Sequence, residues 1–466
     1  MSVSTKHPEY LEALKTVRLT RDAVKGDPAI KKGGELYLPA EFADSDTARY
    51  KAYKNRSFFL GVTKQAQKST MGMIFRKQPD VGEGLPAYLE SIQFNIDGSG
   101  QSLEQVAKFG VKEMEETGRV GLFVDYPPID TTVTRSQEAQ AGARPVLISY
   151  EFEQIINWRT TVENGIEKLS LVVLEEKVLK ESNTEFQHDM EKQYRILRLR
   201  DGIYTVEVQD EHENTIEDEF PPLMAGGEPF DHIPFYIPGT ENNRPCVDAP
   251  LLADLAVVNV AHYQTTADHR ENLYIHGQLT LGIATKLDYH QFKEANPDGI
   301  KVGSRSGHYL GEGGSFQTAT APESSSLRVG LQDLEEQMVS IGAKLVTKSG
   351  QAETAEAARL KASGEASALD IMVNNYSDAI ELALEDMLFF VGQWEPVTYR
   401  LNTQFFEDTL TPQLAAAITG FETAGTIAKR DARYMIRKGK IEIEEGRTDE
   451  DIDADIAGQV AIQTDI

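Results

Sequence analysis

Residues 251–273, LLADLAVVNVAHYQTTADHRENL, and residues 326–346, SLRVGLQDLEEQMVSIGAKLV, decide how this chain is read. In the first, Leu251, Leu255, Val258 and His262 recur at i, i+4, i+7 and i+11, which is one face of a helix. In the second, Leu327, Leu331, Leu334 and Met338 form the same stripe. Between them, residues 275–327 carry eight glycines (277, 282, 299, 303, 307, 311, 313 and 314). Short β pieces at 278–283 and 308–310 fit that irregular stretch. The pattern is a compact β-containing module held between two long helices.

Downstream, Thr347-Lys348-Ser349-Gly350 breaks the second helix. A helical pattern then runs from 353 to 393, with Leu369, Met372, Val373, Tyr376, Ile380, Ala383, Met387 and Val391 on one face. Gly364 is the place where a kink would fall. Residues 394–406 read as a strand and a loop. Thr411 caps a helix over 412–425, with Pro412 at its first position. Residues 429–438 form a further helix, and 441–456 form an acidic tail.

Upstream, helices are expected at 7–25, from about 47 with Asp44 or Ser45 as cap, at 58–76 and at 101–117. Gly118 sits where a helix C-cap glycine belongs. Residues 120–124 read as a short strand. From 144 to 238 the pattern turns to β, with strands at 145–151, 169–178, 193–199 and 203–208. Asp201-Gly202 is a hairpin turn between the last two. Residues 181–191 read as an exposed loop. The fold class is α+β.

The chain has 466 residues, long enough for two to four domains. Lys plus Arg is 47 and Asp plus Glu is 74, for a net charge of −27. Such acidity argues against a protein that coats DNA through phosphate contacts. The charge is uneven. Residues 1–77 hold 15 basic and 8 acidic side chains, a balance of +7, which leaves −34 for the rest. A solvated helical face accounts for the basic segment, and a patch that meets an acidic partner or nucleic acid is the sharper reading. The lone Cys246 allows no intramolecular disulfide and no cysteine metal site. Neither an export signal nor a membrane-spanning run is legible, so a soluble intracellular protein is expected.

Catalytic motifs are missing. Gly311-Glu312-Gly313-Gly314 lacks the lysine of a phosphate loop. His262, Asp268 and His269 lie on one helix and have metal-ligating chemistry, but polar residues on a half-buried helix are the commoner case. Gly303-Ser304-Arg305-Ser306-Gly307 matches a nucleophile elbow without the strand and helix the elbow needs. No catalytic residue, cofactor or metal site is assigned. The layout suits a structural or assembly protein better than a pocket enzyme.

Several stretches carry a family resemblance. They are Tyr50-Lys51-Ala52-Tyr53, Met73-Ile74-Phe75-Arg76-Lys77-Gln78-Pro79, residues 95–103 (NIDGSGQSL) and residues 117–127 (TGRVGLFVDYP). In order, 249–263, 327–346 and 354–392 follow. Together they resemble the portal proteins of tailed bacteriophages, in a portal-like branch known mainly as a domain of unknown function. The resemblance covers most of the chain, and 130–240 carries little of it.

That resemblance implies a ring, usually of twelve copies, at one capsid vertex. It implies a wing over 1–249 with its β-rich part at 144–240, and stem helices at 250–274 and 326–346. A clip at 275–325, a tunnel loop at 347–352, a long spine helix returning to the wing over 353–410, and a crown at 411–466 complete it. Double-stranded DNA would pass through the channel, driven by a separate terminase. Other implied partners are capsid and scaffold proteins and a head-completion adaptor or tail protein, with no membrane. The implied location is the virion, with the host cytoplasm during assembly. Lys344, Thr347, Lys348, Ser349, Gly350 and Gln351 become channel candidates. The readings from other classes are a soluble enzyme with an active-site loop at 299–314, or a non-channel head-assembly adaptor.

Overall fold

The computed structural model describes residues 2–40, 47–126, 144–180, 186, 188–277, 280–300, 307–319, 325–346, 367–405, 419–421, 423, 426, 428–438 and 452–453. The chain divides into two compact units, Met1–Thr403 and Gln404–Ile466. The fold is mixed α+β with antiparallel sheets.

The first unit opens on α1 (Pro8–Lys25), α2 (Asp27–Gly33), α3 (Ala48–Arg56), α4 (Val62–Ile74), α5 (Ala87–Ile92) and α6 (Leu103–Thr117). The Thr47 hydroxyl caps α3 by accepting from the Tyr50 amide, so the cap is neither Asp44 nor Ser45, which lie outside the described residues. Helix α4 starts four residues later than expected. Ser57 is extended, and the Phe59 amide donates to Asp27 at 2.9 Å, which holds this stretch out of the helix. In α6, Ser102 and Gln105 make a capping box, and Gly118 adopts φ +89° as the C-cap.

Strand β1 (Gly121–Asp125) is central in a three-stranded sheet, between β2 (Val146–Tyr150) and β8 (Phe235–Tyr236). A five-stranded meander follows the chain as β3 (Ile155–Glu163), β4 (Ile166–Leu179), β5 (Met190–Arg200), β6 (Ile203–Asp210) and β7 (Thr215–Phe220). Asp201-Gly202 joins β5 to β6 with both residues at positive φ, as a tight hairpin requires. Asn164-Gly165 makes the same turn between β3 and β4. Strands β3 and β7 go beyond what the sequence pattern predicts. In β7 nearly every side chain is exposed, so it lacks the alternation that marks a half-buried strand.

The chain continues through α7 (Ala253–His276), β9 (Thr280–Ala284), α8 (Tyr289–Ala295), β10 (Ser315–Ala319), α9 (Ser325–Val346) and α10 (Ala368–Val391). Residues 308–310 are not a strand. The carbonyls of Tyr309 and Leu310 accept from the Asn296 and Thr285 side chains instead, and β9 pairs with β10.

Of the helix expected over 353–393, the described part is α10, which begins at Ala368. Ser367 is extended at φ −72° and ψ 157°, and with Asp370 it forms a capping box. Gly364 lies outside the described residues. Ser367→Ala should cost about 1 kcal/mol of helix stability. A melting temperature unchanged by the substitution would contradict this cap.

Residues 394–403 are likewise not a strand. The amides of Val397, Tyr399 and Leu401 donate to Glu385, Glu381 and Ser377 on α10, and only Asp80 and Arg400 form a β-bridge. Helix α10 is the hub of the first unit's core. Leu369, Met372, Val373, Tyr376, Ile380 and Met387 are wholly buried, and α10 packs on β1, β2 and α6.

In the second unit, α11 (Lys429–Lys438) matches the expected helix. Ala432 is buried and Arg433 pairs with Asp453 at 2.6 Å. Residues 411–418 and 439–450, with the Thr411 cap and most of the acidic tail, lie outside the described residues.

Candidate functional site

The helix pair α7–α9 and the β module it carries form the feature that the sequence pattern singles out. The first half of α7 is anchored in the first unit. Asn259 is fully buried; its side-chain carbonyl accepts from the amide and hydroxyl of Thr63, and its Nδ2 donates to the Leu60 carbonyl at 2.8 Å. Tyr263, also buried, accepts from the Ser57 hydroxyl at 2.9 Å. Further along, Tyr53 donates to Asp268, Arg56 pairs with Glu271, and the Arg56 guanidinium stacks 4.0 Å from the Tyr274 ring. Past this point Leu273, Tyr274 and Ile275 are exposed at 47%, 44% and 45%.

Helix α9 packs along α7. The end of α7 and the start of α9 both adjoin the β9–β10 ribbon, and His262 Nε2 lies 3.4 Å from Glu335, so the two helices run antiparallel. Leu327, Leu331 and Leu334 are half-buried and Met338 is buried, as the stripe requires. On the other side, Val329 and Val339 are 50% and 73% exposed. Isolated exposed apolar side chains are ordinary, but a run of them along one helix pair is not. The two helices carry six acidic and three basic residues. Asp254, Asp268, Asp333, Glu335 and Glu336 are exposed.

The motifs weighed in the sequence resolve differently. His262 faces Glu335, whereas Asp268 is engaged by Tyr53, so these groups do not converge on one point. Among the described residues no three His, Cys, Asp or Glu side chains are grouped to hold a metal. Gly311 to Gly314 is a turn into β10, closed by the Gly314 amide on the Gly311 carbonyl at 3.2 Å. Residues 303–306 of the elbow-like motif lie outside the described residues. Lys344 falls within α9, and Thr347, Lys348, Ser349, Gly350 and Gln351 lie outside the described residues.

The groups with the most perturbed chemistry are ones that sequence motifs do not flag. Arg21 on α1 donates to Glu113 at 2.5 Å, Glu116 at 3.1 Å and Glu153 at 2.6 Å. Burial disfavours its charge, but these bonds, led by Glu153, hold the guanidinium protonated. One cation faces three carboxylates, and burial pushes Glu113 up to about 7 against the pull of Arg21. Its neighbour Glu115 is fully buried. Burial pushes it up to about 8, with the Thr70 hydroxyl bonded to one oxygen and no hydrogen-bond partner within reach of the other.

Arg119 is fully buried and lies on the faces of Trp158 and Phe152, 4.1 and 4.9 Å from their centres. Burial pulls it down to about 9. His232 bridges Asp231 at 2.9 Å and Asp386 at 3.2 Å. Burial pulls its ring down, but the hydrogen bonds to Asp386 and Asp231 outweigh that and leave it raised. Tyr236 donates to Asp386 at 2.6 Å. These clusters brace elements against one another. Arg21 ties α1 to α6 and to the turn before β3, and His232 with Tyr236 ties the β8 region to α10.

Residues 250–391, which contain α7, the β module, α9 and α10, match a family described as a domain of unknown function (DUF4055). No curated protein matches the chain. Among solved structures, it is similar to a chain in the neck of an empty GTA particle computed with C6 symmetry. That match has 12% identity, covers 88% of this chain and 98% of the other, and has a TM-score of 0.39. A chain in the neck of a native GTA particle computed with C12 symmetry is similar at 12% identity, over 80% and 89% of the two chains, with a TM-score of 0.40.

Proposed function

We propose that this chain is a non-enzymatic connector subunit of a phage-like particle, of the portal type, which closes into a ring around a channel for double-stranded DNA. One observation supports this reading above the others. A pair of long antiparallel helices carries a small β module, and Val257, Leu273, Ile275, Val329 and Val339 on that pair stay exposed in the single chain. Neighbouring copies around a ring would cover such residues, because burying apolar surface is the main driving force of association.

In this reading α7 and α9 are stem helices and the module with β9, α8 and β10 is the clip. The channel loop that the resemblance implies, residues 347–351, lies outside the described residues. The acidic residues of the helix pair repel the DNA backbone, so DNA slides past without being held. The terminase supplies ATP hydrolysis, and capsid, scaffold and adaptor or tail proteins meet the outside of the ring.

Negative-stain imaging and mass measurement of the purified protein test this. Closed rings of about twelve copies with a central hole are expected from the family resemblance. A monodisperse monomer at every concentration would overturn the proposal.

A further inference from the structure

The basic excess of residues 1–77 has a focus that the sequence does not reveal. An open cleft of 770 Å³ lies between α1, α4, α6 and the turn at 151–153. Lys25 from the end of α1, Lys64 and Lys68 one turn apart on α4, and Lys112 on α6 stand around it. All four are exposed. Lys112 is 3.9 Å from Glu116, a loose pairing. Val24 is buried and Met71 half-buried, giving the cleft an apolar patch. On a chain of net charge −27, this is a concave positive site with an apolar spot inside it.

We propose that this cleft binds an acidic protein segment, one that sets spaced carboxylates against Lys25, Lys64, Lys68 and Lys112 and an apolar side chain on Val24 and Met71. Nucleic acid fits less well, for two reasons. A duplex carries about one charge per 1.7 Å, and Glu116, Glu151 and Glu153 line the same cleft and would face that unbroken run. The field of the whole chain also repels a long polyanion more than a short peptide. A protein segment can place neutral side chains opposite those glutamates. The inference is independent of the ring and of the channel.

The test uses the full chain and two fluorescein-labelled probes, an acidic peptide of repeating Asp-Glu-Leu and a short DNA duplex, followed by anisotropy at low and physiological salt. The peptide is expected to bind, and added salt to weaken it. Lys64→Glu with Lys68→Glu is expected to weaken it by about tenfold or more. The same charge change placed elsewhere, Arg159→Glu with Lys180→Glu, should weaken it far less. All four residues are exposed, so unchanged melting temperatures will show that both variants fold. The proposal is overturned if the peptide does not bind, if both variants lose affinity equally, or if the duplex binds more tightly than the peptide.

Discussion

Glu115→Gln should make the protein more resistant to heat at pH 8 while leaving it nearly unchanged at pH 5. Glu115 is wholly enclosed in α6, and its carboxyl is held at about 8 against an ordinary value of 4.5. The folded chain therefore binds the proton more tightly than the open chain does. The stability that the neutral carboxyl contributes is complete below pH 4.5 and drains away as pH rises towards 8. Glutamine stays neutral throughout, keeps an oxygen for the Thr70 hydroxyl, and has nearly the same shape. Each tenfold change in proton affinity on folding corresponds to about 1.4 kcal/mol, so the difference at pH 8 is expected to reach a few kcal/mol. It should appear as a gap in melting temperature that opens between pH 5 and pH 8. A glutamine variant less stable than the wild type at pH 8 would mean that Glu115 is charged and matched in the fold. Glu113, lifted by burial to about 7, acts in the same direction over a narrower window.

Gly110→Ala should be severely destabilising although alanine is the better helix former. A Cβ at Gly110 would lie 2.2 Å from Cε2 of Tyr376 and 2.6 Å from its hydroxyl. Tyr376 has no free space to retreat into. Its side chain is fully buried, and its hydroxyl donates to the Val106 carbonyl at 3.1 Å. Alanine gains about 1 kcal/mol of helix propensity at such a site. Overpacking a rigid core typically costs about 1–3 kcal/mol and sometimes more, and here the clash is with a ring that is fixed at both ends. A net loss of about 2 kcal/mol or more is expected in chemical denaturation. Tyr376→Leu in the same chain should recover part of it, since the two sites share one volume. A neutral or stabilising Gly110→Ala would show that α6 and α10 are not packed this closely.

The parts that could be read from sequence have a local physical cause. The faces of α7, α9 and α10 follow from apolar spacing, because a helix repeats every 3.6 residues whatever surrounds it. Asp201-Gly202 makes a turn because its residues tolerate positive φ. Ser367 shows the opposite case. Its capping box is as local as any signal in the chain, yet the periodicity on both sides of it reads straight through. Residues 308–310 and 394–403 look like strands, but side chains from elsewhere take their backbone groups: Asn296 and Thr285 in one case, α10 in the other.

The charged clusters have no local signature. Arg21 meets Glu113 and Glu153 from 92 and 132 residues away, and His232 meets Asp386 across 154. Nothing in the spacing of Glu113, Glu115 and Glu116 says that all three are buried.

By itself, the sequence determined the acidity of this chain, the helices on either side of a glycine-rich β module, and the basic excess of its first 77 residues. Only the tertiary structure decided which carboxylates lose their water, which lysines from α1, α4 and α6 gather on one cleft, and which faces of α7 and α9 stay uncovered. Helix periodicity and turn chemistry are fixed within a few neighbouring residues. Desolvation and charge pairing depend on groups that only folding brings within a few ångströms.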